Sequence, residues 1–218
     1  MRTTEFTVGG YYHIYNRGVD KRDIFVDHYD QKRFFQSMEE FNVSGPIGSI
    51  FQNSFRRSKD EKSLSGLATK QKLVEFVCYC LNPNHYHFIL KELTEGGIVE
   101  FMHKLGTGYT RHFNEKYKRT GSLFQGPFKS IEIESNEYLL YLSVYVNLND
   151  RIHQLDKGTG HVKSRSSWAE YMGTANEAFC ETSIILEQYG NVEAYRGFAE
   201  GSLAEMIERK ESERTFLE

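Results

Sequence analysis

The chain has 218 residues, of which 39% are hydrophobic and 14% aromatic, and its formal net charge is −3. These values are those of an ordinary globular protein that buries a core without disulfide staples, and they predict one core domain with an appendage. No run reaches the roughly 18 apolar residues of a membrane helix, and the opening MRTTEFTVGG lacks the apolar stretch of a secretory signal. We therefore expect a cytoplasmic protein without membrane contact.

Charge is distributed unevenly along the chain. Residues 1–170 carry 23 Lys and Arg against 20 Asp and Glu, whereas 171–218 carry 4 against 10. Within the basic part, the stretch from Lys104 to Lys129 fits a phosphate-facing stripe, although a solvated helix face explains the same charges. The candidate DNA contacts are Arg17, Lys104, Arg111, Lys118, Arg119 and Lys129.

The sequence pattern changes from strand-like to helical within the first 41 residues. Residues 11–17 (YYHIYNR) predict a strand, and the apolar positions between 30 and 41 recur at helical spacing. Residues 43–72 have little periodicity and contain SKDEKSLSG, which is typical of a long loop or an insertion.

Two β-rich runs, 73–81 and 85–91, flank Asn82-Pro83-Asn84 and predict a hairpin. The first run holds Cys78 and Cys80 on one strand face, where a metal site is conceivable and core packing is the commoner outcome. With Cys180 the cysteines number three, so no disulfide framework is indicated.

The second half is predicted to be mainly helical. Residues 97–117 and 137–149 have helical spacing, and FKSIEIES between them alternates like a half-buried strand. The acidic stretch 173–218 favours helix and is expected to form a C-terminal extension to a domain at 1–172; a helical appendage, a dimerisation element and a partly disordered segment all remain open for it. The expected class is therefore α+β, a central antiparallel sheet with packed helices.

His85-Tyr86-His87 is the sharpest local feature. Residues i and i+2 of a strand face the same way, so both imidazoles converge while Tyr86 faces the core. A structural role for such histidines is the alternative. Two histidines do not complete a site, and Mg²⁺ or Mn²⁺ would need further oxygen ligands.

Tyr145 and Asn149 form an i, i+4 pair that shares a helix face if the helix continues that far. An amide oxygen one turn from a tyrosine can join a metal while the phenol stands beside it. Tyr138, Tyr141 and Tyr145 also fit an aromatic core stripe, which is the structural alternative.

Four motifs in this order resemble the HUH single-tyrosine transposases, particularly the REP-associated tyrosine transposases and insertion-sequence-200-like enzymes. They are YHIYNRG (12–18), LNPNHYHFIL (81–90), GSLFQGPFKS (121–130) and EYLLYLSVYVNLN (137–149). The resemblance covers roughly residues 8–172. Two positions depart from the family pattern: Asp150 stands where proline is usual, and Pro127 where a basic residue is common.

The resemblance implies a ferredoxin-like or RRM-like HUH nuclease fold. It further implies that His85, His87 and Asn149 bind Mg²⁺ or Mn²⁺ and that Tyr145 is the nucleophile. The expected activity is transposase-like cleavage and rejoining of single-stranded DNA through a 5′-phosphotyrosine intermediate at hairpin-associated sites. Single-stranded or hairpin DNA is the expected partner, and both a monomer and a homodimer remain open.

Two rival functions remain at this point. A domesticated relative could bind DNA hairpins as a regulator without catalysis. A metal-dependent phosphodiesterase that uses water needs only the histidine pair, so Tyr145 distinguishes it from the transposase.

Overall fold

The computed structural model describes residues 4–48, 50, 71–153, 155 and 162–215, with the backbone alone from 211 onward. Most of the predicted 43–72 loop, residues 49 and 51–70, lies outside these described residues. The element bounds given below apply to the described part of the chain.

Five antiparallel strands form one sheet in the order β4-β1-β3-β2-β5. The strands are β1 (Tyr11–Arg17), β2 (Val74–Asn82), β3 (His85–Glu92), β4 (Lys129–Glu132) and β5 (Arg165–Ser166). One long helix follows β1 and another follows β3, so the first four strands have the βαββαβ connectivity of a ferredoxin-like unit. The predicted α+β class with a central antiparallel sheet is confirmed.

The helices differ greatly in length. They are α1 (His28–Glu40), α2 (Gly97–Lys116), α3 (Asn136–Asn147), α4 (Asn149–Ile152), α5 (Trp168–Tyr171), α6 (Ser183–Leu186) and α7 (Val192–Thr215). Ser135 caps α3 by accepting a hydrogen bond from the Tyr138 backbone N–H. None of these helices combines the length and apolar character that crossing a membrane requires.

Each face of the sheet has its own apolar core. Alternate residues of β3 face opposite sides, so Tyr86 and Phe88 pack with α1 and α2, while Ile89 packs with α3. The apolar cluster between the sheet and α3, called the α3 core below, includes Cys78 and Cys80. Both thiols are fully buried and form no disulfide, so the core-packing interpretation of these cysteines is confirmed.

The acidic C-terminal stretch contributes to the α3 core through α7. Tyr195 of α7 is fully buried, and its hydroxyl lies 3.1 Å from Ser143 Oγ of α3. Ala199 and Met206 pack into the same cluster. The extension is therefore helical, as predicted, and covers the sheet face that carries α3.

Gly18 ends β1 at a point where a side chain does not fit. A Cβ atom there would clash with the backbone oxygen of Arg22. The chain can then turn closely after Arg17 and pass through the short 3₁₀ helix Val19–Lys21. This explains the Gly of the YNRG motif physically.

Candidate functional site

The side chains of His85 and His87 meet on the sheet face that carries α3. Their ring centroids lie 5.2 Å apart and the rings are perpendicular. His87 is 7% exposed. Strand alternation predicted this convergence, and Tyr86 lies in the opposite core as expected.

An amide network joins His85 to Asn149. Asn82 Nδ2 lies 2.9 Å from His85 Nε2 and donates a 2.8 Å hydrogen bond to Asn149 Oδ1. That same Asn149 oxygen lies 3.3 Å from His85 Nε2. Asn82 is held in turn because its Oδ1 accepts a 2.7 Å bond from Ser164 Oγ. Two amides and one imidazole thus form a fixed, buried polar cluster.

Tyr145 completes this cluster from α3. Its ring centroid lies 5.6 Å from that of His87, and the two rings meet edge-on. The helix itself does not reach Asn149, because Leu148 leaves helical geometry (φ −112°, ψ 21°) and separates α3 from α4. The helix thus ends at Asn147, two residues before the predicted end at about Asn149.

The aromatic core stripe proposed for α3 is not present. Tyr138 and Tyr141 are 36% and 37% exposed, while α3 buries Leu139, Leu142 and other residues of its opposite side. Tyr145 is half-buried beside the histidines. The structural alternative for this tyrosine therefore loses its main support.

A third histidine supports the pair. His13 of β1 is 5% exposed, and its Nε2 lies 2.9 Å from His87 Nδ1. Tyr15, two residues along the same strand face, stacks on His87 at 5.7 Å between ring centroids. Lys129 of β4 extends over the Tyr15 ring at 5.9 Å.

The C-terminal helix reaches the same region. The His153 ring centroid lies 6.1 Å from that of His85, and Lys210 Nζ of α7 lies 2.6 Å from His153 Nδ1. Arg17 is paired with His85 across the β1–β3 ladder, and its Nε is buried with no hydrogen-bond partner among the described residues. Cationic groups from both ends of the chain thus flank the histidine pair.

Burial keeps the histidines neutral. It lowers the pKa of His13 and of His85 to about 4, and it lowers the pKa of His87 well below its usual value. Burial raises the pKa of the Tyr145 phenol, and the nearby Asn149 side chain opposes this. The site thus presents uncharged imidazoles, the form that binds metal ions.

The donor set fits a divalent cation. In the described part of the chain no three His, Cys, Asp and Glu side chains are placed to hold a metal ion. Here the third donor is an amide: two imidazoles converge with the Asn149 oxygen, whose own Nδ2 is buried without a hydrogen-bond partner. Nitrogen and oxygen donors of this kind suit Mn²⁺ or Mg²⁺ completed by water or phosphate.

The predicted DNA contacts fall into two groups. Arg17 and Lys129 lie near the histidine pair, whereas Arg111 and Lys118 are exposed on and after α2, which packs on the opposite sheet face. Lys104 Nζ instead binds the Val43 and Gly45 carbonyl oxygens, both at 2.7 Å.

Arg119 also has contacts close to its own position. One of its guanidinium nitrogens donates to Asn114 Oδ1 at 2.6 Å, and the other lies 3.4 Å from the Ser122 carbonyl oxygen. Both Lys104 and Arg119 therefore stabilise neighbouring backbone or loop groups. A contact with DNA stays a prediction for each of them.

Three residues of this cluster are not predicted as site residues from the sequence. His13 is predicted only as part of a strand and Asn82 only as part of a turn, and no role is predicted for His153. A signal for His13 is its position between Tyr12 and Ile14 in an apolar strand, because a polar side chain that is buried there needs a hydrogen-bond partner. Nothing local marked Asn82 or His153.

Residues 49–149 match the family model described as "Transposase IS200 like". Over a little less than half of the chain, this segment is therefore similar to the IS200-like transposases. It contains His85, His87, Asn82, Tyr145 and Asn149, whereas His13 and His153 lie outside it.

One solved structure is similar to this chain over a longer stretch. It is a REP-associated tyrosine transposase bound to a REP hairpin, with 11% sequence identity and a TM-score of 0.44 over 83% of this chain and 96% of that one. No curated protein matches the sequence.

Proposed function

We propose that this chain is a metal-dependent, transposase-like endonuclease that cleaves and rejoins single-stranded DNA through Tyr145. One observation carries the proposal: the Tyr145 ring lies edge-on to His87, with centroids 5.6 Å apart, beside the contact of 3.3 Å between His85 Nε2 and Asn149 Oδ1. A nucleophile and the candidate metal-binding groups therefore lie next to one another. Such proximity is what attack on a metal-bound phosphate requires.

His85, His87 and Asn149 would hold the divalent cation, Mg²⁺ or Mn²⁺. When bound there, the cation neutralises negative charge on the scissile phosphate as that charge increases in the transition state. The ligand side chains are held before the substrate arrives, because Asn82 bonds to both His85 and Asn149. Preorganised groups of this kind stabilise a transition state without reorganising during the reaction.

Tyr145 performs the covalent step. Its phenol loses its proton to solvent, the phenolate oxygen forms a bond to phosphorus, and the bond from phosphorus to the 3′ oxygen breaks. The leaving 3′ oxygen takes up a proton, so the products are a 5′-phosphotyrosine and a free 3′-OH. Attack by another 3′-OH on the phosphotyrosine reverses these steps and rejoins DNA. No external energy source is needed, since the adduct retains the phosphodiester bond energy.

Phosphate-binding cations flank this centre. Arg17 and Lys129 are placed to meet the strand that enters beside the histidines, and Lys210 of the C-terminal extension lies close by. Arg111 and Lys118, on the other sheet face, would contact a more distant part of the DNA such as a hairpin stem. We assign catalysis to residues 1–172, with 173–218 as a helical extension; both a monomer and a homodimer are compatible with this assignment.

Covalent capture of DNA tests the proposal. The full chain is incubated with Mn²⁺ and a hairpin-bearing single-stranded oligonucleotide labelled at its 3′ end, and denaturing gels are read for labelled protein. We expect a labelled adduct with the unaltered chain and none with Tyr145→Phe. Tyr141→Phe is the matched control, because Tyr141 lies one turn earlier on α3, is exposed, and should leave adduct formation intact.

Three other outcomes would contradict the proposal. An adduct that persists in Tyr145→Phe would exclude this nucleophile. Hydrolysis without an adduct would favour the water-using phosphodiesterase. Tight hairpin binding with neither cleavage nor adduct would favour the non-catalytic regulator.

A further inference from the structure

His13 is a buried polar side chain for which the proposed reaction has no direct use. It lies in the middle of β1, and the only hydrogen bond of its side chain among the described residues is the 2.9 Å contact between its Nε2 and His87 Nδ1. The two rings are nearly parallel, with centroids 5.1 Å apart. A contact this short between two buried imidazoles needs one nitrogen to donate and the other to accept.

The direction of this hydrogen bond decides what His87 can do. A neutral imidazole carries one proton, on either Nδ1 or Nε2. If His87 donates from Nδ1, its Nε2 keeps a lone pair that can bind a cation. If His13 donates instead, His87 carries its proton on Nε2 and has no lone pair outside this contact.

His85 provides an internal comparison. Its Nδ1 lies 2.6 Å from Asn84 Oδ1, and the amide nitrogen of Asn84 is directed to the Lys21 carbonyl oxygen at 3.1 Å. The oxygen of Asn84 therefore faces the ring, so His85 carries its proton on Nδ1. Its Nε2 lone pair then accepts from Asn82 Nδ2. His85 is thus held with a lone pair, and not a proton, on Nε2, the nitrogen that lies 3.3 Å from Asn149 Oδ1.

We propose that His13 accepts the Nδ1 proton of His87 and is the positioning residue that keeps His87 Nε2 available for the divalent cation. Both histidines of the pair are then held in the same tautomer by a partner behind the ring, Asn84 for His85 and His13 for His87. Partners of this kind orient metal-binding histidines and set their tautomer. This inference rests on the proposed function, because it concerns the same cation site.

Two measurements on the full chain test the role of His13. Long-range ¹H–¹⁵N spectra of the metal-free protein report which ring nitrogen of His87 is protonated, with the His87→Gln variant used for assignment. We expect the proton on Nδ1. Calorimetric titration with Mn²⁺ should then show that His13→Phe, which keeps a ring but has no acceptor, weakens Mn²⁺ binding by about 10- to 100-fold.

Matched variants separate hydrogen bonding from packing. His13→Gln places an amide oxygen near the position of the lost Nε2 and should restore most of the Mn²⁺ affinity. Tyr15→Phe keeps the ring that stacks on His87 and should leave the affinity unchanged. If His13→Phe fails to fold, as judged by circular dichroism, the tautomer spectrum and the Gln variant still decide the matter.

The outcomes distinguish this inference from the proposed function. An Nε2 proton on His87 in the unaltered metal-free chain would overturn the inference alone, as would equal Mn²⁺ affinity in the unaltered chain and folded His13→Phe. Absence of Mn²⁺ binding in the unaltered chain would overturn the proposed function and this inference with it.

Discussion

Asn149 Oδ1 lies 3.3 Å from Nε2 of His85, although the two residues are 64 positions apart in the chain. The contact joins the end of the helical region after Tyr145 to the start of β3. It also places an amide oxygen beside the histidine pair as the candidate third donor for a cation. Four expected outcomes follow from this site and from the charges around it.

The first concerns Asn149 as a metal ligand. Asn149→Ala removes the amide oxygen of α4 that lies 3.3 Å from His85 Nε2. The Mn²⁺ affinity should therefore fall by about 10- to 100-fold, as it does when a supporting group is removed at other metal sites. Asn149→Asp retains an oxygen donor and should bind Mn²⁺ at least as tightly as the unaltered chain. Calorimetry measures both. Asn136→Ala, at an exposed asparagine that begins α3, is the control and should not change the affinity.

If Asn149→Ala bound Mn²⁺ as well as the unaltered chain, the ligand assignment would be wrong. Asn149 is fully buried, and its removal also leaves Asn82 Nδ2 with one acceptor fewer. A stability loss of about 1–3 kcal/mol is therefore expected as well. Denaturant unfolding without Mn²⁺ measures the stability loss, and calorimetry of the folded variant measures the loss of Mn²⁺ affinity.

The second concerns stability against pH. Burial lowers the pKa of His13 to about 4, while an unfolded histidine titrates near its ordinary value of about 6.5. Between these two values the unfolded chain binds more protons than the folded chain does. The contribution of His13 to the free energy of unfolding is therefore complete above about pH 6.5 and is lost as the pH decreases toward 4. His13 alone should contribute a loss of about 3 kcal/mol over that range.

Urea unfolding at pH 7, 5.5 and 4.5 measures this dependence. The slope should become shallower in His13→Phe, which has no ionisable group at this position. It should stay unchanged in His28→Gln, since His28 is an exposed histidine at the start of α1. Equal slopes in the unaltered chain and His13→Phe would contradict the buried neutral state of His13.

The third compares two lysines of the same basic stripe. Lys116 Nζ lies 2.7 Å from both Asp27 and Asp30, and Asp30 is fully buried. Removal of this ammonium leaves a buried carboxylate without its cation, so Lys116→Ala should lower the free energy of unfolding by about 2 kcal/mol, between the values for exposed and buried pairs. Lys118→Ala, two residues later at an exposed position, should leave stability unchanged. Denaturant unfolding measures both variants. Equal decreases in the free energy of unfolding would contradict the predicted difference between the two lysines.

The fourth concerns DNA contacts on the two sheet faces. Arg17→Ala and Lys129→Ala should reduce adduct formation at saturating DNA, because these side chains flank the reacting phosphate. Lys118→Ala and Arg111→Ala should mainly weaken binding of hairpin DNA, and each phosphate interaction that is removed should decrease the salt-dependence slope by about 0.7 to 1.

Fluorescence anisotropy across a salt series, together with adduct yield, separates these groups. Lys91→Ala is the control, since Lys91 lies at the far end of β3 from His85 and pairs with Glu75. If all four variants had the same effect on affinity and on adduct yield, the proposed difference between the DNA contacts of the two sheet faces would be wrong.

Local periodicity determined much of this protein. The alternation of β3 placed His85 and His87 on one face and Tyr86 on the other, and helical spacing predicted α1 and α2 to within about two residues. These features depend on neighbours in the chain, which is why the sequence alone was sufficient for them.

Only the tertiary structure decided how the site is completed. The break at Leu148 was not marked by any glycine or proline, and it ends α3 while Asn149 still reaches His85. The bond between His13 and His87 spans 74 positions and depends on β1 pairing beside β3. Contacts of this kind arise from strand order and helix packing, so the sequence identified the histidine pair, and the fold selected Asn149, Asn82 and His13 as its neighbours.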